Sequence, residues 1–364
     1  MSVGLVIGRL GPGAAERQLF ELGRSLDPKR HAVRVYCLSG LTEPYGRRLE
    51  AAGIPVTIIR RRRAWDPARL LALASALRRD AIDVVHAFPT GSLYGALAAR
   101  VARIPTIIPS VRDGGRSPTG SAGRMLACVY RGASAVLADS QASAAEVVRS
   151  FGVCSERVRI VYDGVDLARF PRPSRLDGLR DRVRSGPLLI GGIGPLSQRA
   201  APAPCLLAAA RLATRHPDVR FVWLRDGEQR GAAEHLAREC GVPLALASVE
   251  DRVVTELPRL SMLWLTTDWH DVADVVLEAM AAARPVLAVR VRGIEELVAD
   301  GVTGFIVEPD DPGALSGRAD QLLRDSARRR QLGQAARARA AGQFALPEMV
   351  RAIAALYEEA LLGI

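Results

Sequence analysis

Glu278 and Glu296 are the carboxylates best placed to meet a ligand. They lie in the stretch 268–309. There a polar loop runs into a short helix carrying Glu278, followed by a turn at Arg284-Pro285, a buried strand, a Gly-Ile-Glu-Glu loop, a second helix and a last strand. In a parallel sheet this order brings a helix N-terminus and two carboxylates to the carboxyl edge of the strands. Ligands bind α/β sheets at that edge, and the free N–H groups of a helix start suit a phosphate. A carboxylate such as Glu278 can accept hydrogen bonds from both hydroxyls of a vicinal diol. Asp271 and Asp274 stand at the same helix start. Aspartate is a favoured N-cap, so Asp274 can satisfy the free N–H groups itself, and its charge repels a diphosphate. Arg225, Arg292 and a protonated His270 would bring the opposite sign to this edge. In the first half, His86 ends a strand, and Arg112 and Asp113 follow the next one. Plainer readings stay open: Glu278 as a helix residue paired with an arginine, His270 as a structural loop histidine, His86 as a hydrogen-bonded structural one.

These residues need a scaffold, and the apolar pattern supplies one. Strand-like runs recur at Val3–Ile7, Val33–Leu38, Pro55–Ile59, Ile82–His86, Thr106–Pro109, Ala135–Ala138 and Val158–Tyr162. Between them, apolar residues repeat at helical spacing, as in Ala15, Leu19, Leu22 and Leu26, or Leu70, Leu73 and Leu77. A Pro-rich polar stretch at 171–175 reads as a linker. The pattern then restarts with Leu188–Ile193, Val219–Leu224, Leu244–Ser248, Met262–Thr266, Val286–Val289 and Gly304–Val307. Nearly continuous apolar strands alternating with helices predict an α/β fold of two Rossmann-like, doubly wound parallel-sheet domains. The boundaries are expected at 1–170 and 171–346, with an amphipathic tail helix at about 347–364.

Composition narrows the function classes. A chain of 364 residues is long enough for two α/β cores, and 49% hydrophobic with 24% charged residues is ordinary for a globular chain. Its apolar runs are too short to span a bilayer, and Val3–Ile7 reads as a first strand, not a leader. The five cysteines are scattered, with no CxxC pair or metal spacing, which favours free thiols in a reducing cytoplasm. The formal net charge of +11 rests almost wholly on arginine, since Lys29 is the only lysine. That balance favours anionic partners. Arg60, Arg61, Arg62 and Arg63 followed by Trp65 form the densest patch, read either as a solvated loop or as a contact with anionic lipid headgroups. An aromatic fraction of 5% and no recognisable motif argue against nucleic acid.

Several segments together resemble the retaining GT-B glycosyltransferases of family 4. Glu278-Ala279-Met280-Ala281, Pro285-Val286, Glu296 and Asp300-Gly301-Val302-Thr303-Gly304 match the family's donor-site signature. Leu10 to Arg17 is similar to its G-G-A-E-R loop, Asp83-Val84-Val85-His86 to its D-V-V-H strand, and Asp163-Gly164-Val165-Asp166 to its N-G-V-D segment. The resemblance implies a GT-B fold, two domains facing a cleft, with the tail helix crossing back to the first. It implies a nucleotide-diphosphate sugar donor on the second domain, and a saccharide or lipid-linked acceptor on the first. No cofactor or metal is implied. It gives Glu278 the ribose hydroxyls, Arg199 the diphosphate, and the amides of Asp274 and Val275 the same group. Gly13, Ala14 and Glu296 would complete the donor site, while His86, Arg112 and His270 would act at the reacting centre. The scattered thiols point to a cytoplasmic protein, and the lipid-contact reading of Arg60 to Trp65 would place it peripherally at the inner membrane face. The chain departs from the pattern at His270, where the family has its first Glu, and at Pro195, where it has Arg. Ala14 replaces a Gly and would resist positive φ. These departures leave a second reading open: a GT-B protein that has lost turnover and serves as a binding or scaffold subunit.

Overall fold

The computed structural model describes residues 1–60, 66–112, 120–171, 188–193, 203–224, 230–246, 253–265, 273–309 and 311–363. These divide into two compact units. The first comprises Met1–Gly164 and Leu346–Ile364, the second Val165–Ala345.

The first unit is built on a seven-stranded parallel sheet. Its strands are β1 (Ser2–Ile7), β2 (Ala32–Cys37), β3 (Val56–Ile58), β4 (Val84–Ala87), β5 (Thr106–Val111), β6 (Val136–Ala138) and β7 (Val158–Ile160). Their order is β3-β2-β1-β4-β5-β6-β7, so the winding reverses between β1 and β4. The central strands are buried on both faces, as their largely apolar runs require, with His86 in β4 and Thr106 and Ser110 in β5 as buried polar residues. On one face the last helix, Leu346–Leu362, sets Leu346, Met349, Ile353, Leu356 and Tyr357 against Leu5, Ile7, Leu19 and Leu22. The tail helix therefore belongs to the core of this unit. Asp83, the first residue of the D-V-V-H run, has a structural task. Its Oδ2 accepts the Ser2 amide at 2.7 Å and so pins the starts of β1 and β4 together. At the amino edge of the same sheet, Lys29 is exposed beside Arg30, whose carbonyl accepts the Met1 amino group at 2.8 Å.

The second unit carries a six-stranded parallel sheet: β8 (Leu189–Ile193), β9 (Arg220–Trp223), β10 (Leu244–Leu246), β11 (Met262–Leu265), β12 (Val286–Val289) and β13 (Gly304–Val307). Its order, β10-β9-β8-β11-β12-β13, reverses between β8 and β11. Trp264 is fully buried at the centre, against Phe221. The unit starts at Val165, earlier than the expected 171. The reason is that the Val165 amide donates to Phe344 O at 2.8 Å and Arg337 grips the carbonyls of Leu167, Phe170 and Pro171.

The Asp300-Gly301-Val302-Thr303-Gly304 motif is a turn held mostly by local bonds, with Arg328 donating to Gly301 O at 2.7 Å. Asp300 Oδ1 accepts the Ile306 amide at 2.9 Å, and Thr303 Oγ1 accepts the Ala299 amide at 2.9 Å. Gly301 has φ of 69°, and a Cβ at Gly304 would stand 2.0 Å from Val286 O. Both glycines are required by backbone geometry alone.

Candidate functional site

At the carboxyl edge of the second sheet, β11 leads to the helix Ala273–Ala281. This helix lies beside the β8/β11 reversal, where an open parallel sheet leaves room for a ligand. Glu278 is 1% exposed, and its Oε1 lies 3.7 Å from Arg169 NH1. Arg169 closes a short 3-10 turn, Leu167–Arg169, that Asp166 caps by accepting the Ala168 amide. Burial of a carboxylate costs several kcal/mol unless charge or hydrogen bonds compensate it. The nearby guanidinium provides part of that compensation.

Asp274 corrects one expectation. It is the second residue of its helix, not the residue before it, so it is not the N-cap. Its Oδ1 still accepts the Val275 amide at 2.8 Å, and the side chain is buried. One N–H of the first turn is therefore engaged by a carboxylate of its own helix. Val275 is buried as well. Glu296 sits half-buried in the short helix Ile294–Leu297, which begins at Gly293 with φ of 82°. Its carbonyl accepts Arg339 NH2 at 2.7 Å. Arg292 is exposed on the same loop.

In the first unit, the corresponding edge carries the Gly-rich loop after β1. Gly13 is extended, with φ of 171°, and leads into the helix Ala14–Ser25. Ala14 is helical and buried, so the expected conflict with positive φ does not arise. A Cβ at Gly13 would meet Glu16 Oε2 at 2.2 Å. Glu16, three residues into the helix start, folds back over the loop as in a capping box, and Arg9 Nε donates to its Oε1 at 2.9 Å.

A pocket within this unit is lined by His86, Ser110, Arg112, Asp163, Gln18 and Met349, among others. His86 is 1% exposed and both ring nitrogens are engaged: Nδ1 with Tyr357 Oη at 2.6 Å, Nε2 with Ser110 Oγ. Burial, and then the charge of Arg112, push its pKa down to about 3. The ring is neutral at physiological pH and can serve as a hydrogen-bonding group, not as a cation. Arg112 pairs with Asp163. Gln18 clamps the next residue on both sides, Nε2 donating to Gly164 O at 3.1 Å and Oε1 accepting the Gly164 amide at 3.3 Å.

Arg199, Arg225, His270 and Asp271 lie outside the described residues, as do Asp113, Arg61, Arg62, Arg63 and Trp65. Arg60 is exposed beyond β3. Among the described residues, no group of three His, Cys, Asp or Glu is arranged to hold a metal, and no helix is long and apolar enough to cross a membrane. Sequence reasoning missed Arg169 and Arg337 in the second unit, and Ser110 and Tyr357 in the first. Asp166, a capping residue one turn before Glu278's neighbour, was the available signal for Arg169.

Two family models match the chain: Glycosyltransferase Family 4 over residues 15–169 and Glycosyl transferases group 1 over residues 182–339. The chain belongs to the family 4-like GT-B glycosyltransferases. A D-inositol 3-phosphate glycosyltransferase of Pseudarthrobacter chlorophenolicus is 32% identical over 226 residues, 58% of this chain and 53% of that one. A glycogen synthase of Mycobacterium tuberculosis is 28% identical over 222 residues, 60% of this chain and 52% of that one. The chain thus spans about half the length of these curated relatives. Anabaena HepE in complex with UDP superposes with a TM-score of 0.85 at 20% identity, covering 99% of this chain and 100% of the other. The same protein in complex with UDP-glucose gives 0.85 at 21% identity, covering 99% and 100%. At this identity the likeness establishes the GT-B fold.

Proposed function

We propose that the chain transfers a sugar from a nucleotide-diphosphate sugar to a saccharide or lipid-linked acceptor, with retention of configuration. The observation that carries this reading is Glu278, a buried carboxylate with a guanidinium 3.7 Å away at the carboxyl edge of the second sheet. Such a group suits a ribose diol, which donates two hydrogen bonds without adding charge. The Pseudarthrobacter relative is named a glycosyltransferase, and Anabaena HepE is solved in complex with UDP and with UDP-glucose; both support the reading.

In this mechanism Glu278 takes the ribose hydroxyls. The departing diphosphate gains charge, which Arg199 and His270, following β8 and β11 in sequence, offset. The helix start at Asp274 and Val275 faces the same group, with Glu296 beside it, and the Val275 amide exchanges its bond to Asp274 Oδ1 for one to the diphosphate. On the first unit, Gly13 and Ala14 let a ligand approach the backbone closely. Arg112 orients the acceptor through its exposed share, and neutral His86 shapes the pocket wall through Ser110. Arg60 to Arg63 and Trp65 bring the enzyme to an anionic membrane surface, where lipid-linked acceptors reside.

A thermal-shift panel of uridine, guanosine, adenosine and thymidine diphosphates tests the donor site. One of them raises the melting temperature, and Glu278→Ala removes that shift. Flat traces across all four would end the proposal.

A further inference from the structure

Arg337 lies in the helix Ser326–Gln343, and its guanidinium meets backbone carbonyls from two segments. Its Nη1 donates to Ala281 O, at the C-terminus of the Glu278 helix, and to Pro171 O at 3.3 Å. Its Nη2 donates to Phe170 O at 3.3 Å and Leu167 O at 3.5 Å. These last three carbonyls belong to the segment that carries Arg169, the neighbour of Glu278. One turn earlier on the same helix face, Gly333 admits the backbone itself: a Cβ there would lie 2.2 Å from Ala283 O. Helix, turn and segment are thus fixed to one another around a single fork. Arg329 and Arg339 of the same helix each grip one helix end, Leu322 and Leu323 in one case, Glu296 and Leu297 in the other.

We propose that Arg337 is a positioning residue for the nucleotide site: it holds Arg169 opposite Glu278, so that the carboxylate is already aimed when a ribose arrives. The inference rests on the reading of Glu278 as the ribose ligand. A guanidinium is suited to this task because its planar fork offers five donors in fixed directions. Lysine carries three donors on one point and cannot reach both segments at once. Without the fork, the segment 167–171 loses its tie to the helix and Arg169 leaves its place. Glu278 must then be ordered during binding, and the affinity lost belongs to the part of the ligand it touches.

The test uses the full chain and isothermal calorimetry. The ligands are the nucleoside diphosphate that stabilises the protein most in the panel above and its 2′,3′-dideoxy counterpart. The unaltered protein is expected to favour the ribose form by about tenfold, the effect of one good charge-assisted contact. In Arg337→Lys and Arg337→Gln the preference drops to about threefold or less, while affinity for the dideoxy form stays the same. Arg329→Lys keeps the full preference, which separates the effect from general loosening of the helix. An unchanged preference in both Arg337 variants, or equal weakening of the two ligands, overturns the inference. Should the unaltered protein show no preference, the ribose reading of Glu278 fails first and the inference falls with it. If Arg337→Gln does not fold, Arg337→Lys carries the test.

Discussion

His86 makes the stability of the protein depend on pH in a calculable way. Its pKa lies at about 3 in the folded chain against the ordinary histidine value of 6.5, chiefly through burial. Below pH 6.5 the unfolded chain takes up a proton that the folded chain refuses. The contribution of this group is therefore complete above pH 6.5 and is lost as pH falls toward 3. Between pH 7.5 and pH 5.0 the loss comes to about 2 kcal/mol, from the fraction of unfolded histidine that is protonated at each pH. His31 is shifted in the same direction by burial, so the total slope includes its share. Glutamine at position 86 does not titrate and can still offer a donor and an acceptor to Tyr357 and Ser110. The measurement is urea unfolding of the unaltered protein and His86→Gln at both pH values, followed by circular dichroism. The unaltered protein should lose about 2 kcal/mol more than the variant over this interval, because the His31 share cancels in the difference. Parallel losses in the two proteins would refute the claim that burial holds the ring neutral.

Four other outcomes follow from named contacts. Ala283 has φ of 56° where the chain leaves the Glu278 helix, so Ala283→Gly should raise stability by about 0.5–1 kcal/mol, read as a higher melting temperature. Gly333→Ala puts a methyl group 2.2 Å from Ala283 O and should cost about 1–3 kcal/mol in urea unfolding. Asp274→Asn removes a carboxylate from the first turn of the helix and should tighten nucleoside diphosphate binding about two- to fivefold in calorimetry; weaker binding would contradict the charge argument. Replacing Arg60 to Arg63 with serine should reduce pelleting with anionic vesicles, since each basic residue near such a surface contributes about 1 kcal/mol.

The strands were legible because a strand buried on both faces must be apolar throughout, and Val286–Val289 or Val3–Ile7 permit little else. Glu278 was legible for a different reason: its flanking residues form a motif of fixed spacing. What escaped the sequence is the set of contacts made across long separations. His86 reads as a strand-end residue open to the cleft until Tyr357, from the far end of the chain, covers it. Arg337 looks like one more arginine in an arginine-rich helix, and no local pattern marks the carbonyls it gathers. Ala14 reads as a loop residue in the sequence, but the helix begins there, so its backbone is already helical.

The near-absence of lysine has a practical outcome. Lys29 is the only side-chain amine, and it stands exposed next to the start of β2, with the chain's amino group nearby at Arg30. Reagents that couple to lysine side chains would tether this chain through Lys29. On a sensor chip, the first unit would then present the far rim of its sheet, with Arg112 and the Gly13 loop, outward to solution in a uniform orientation.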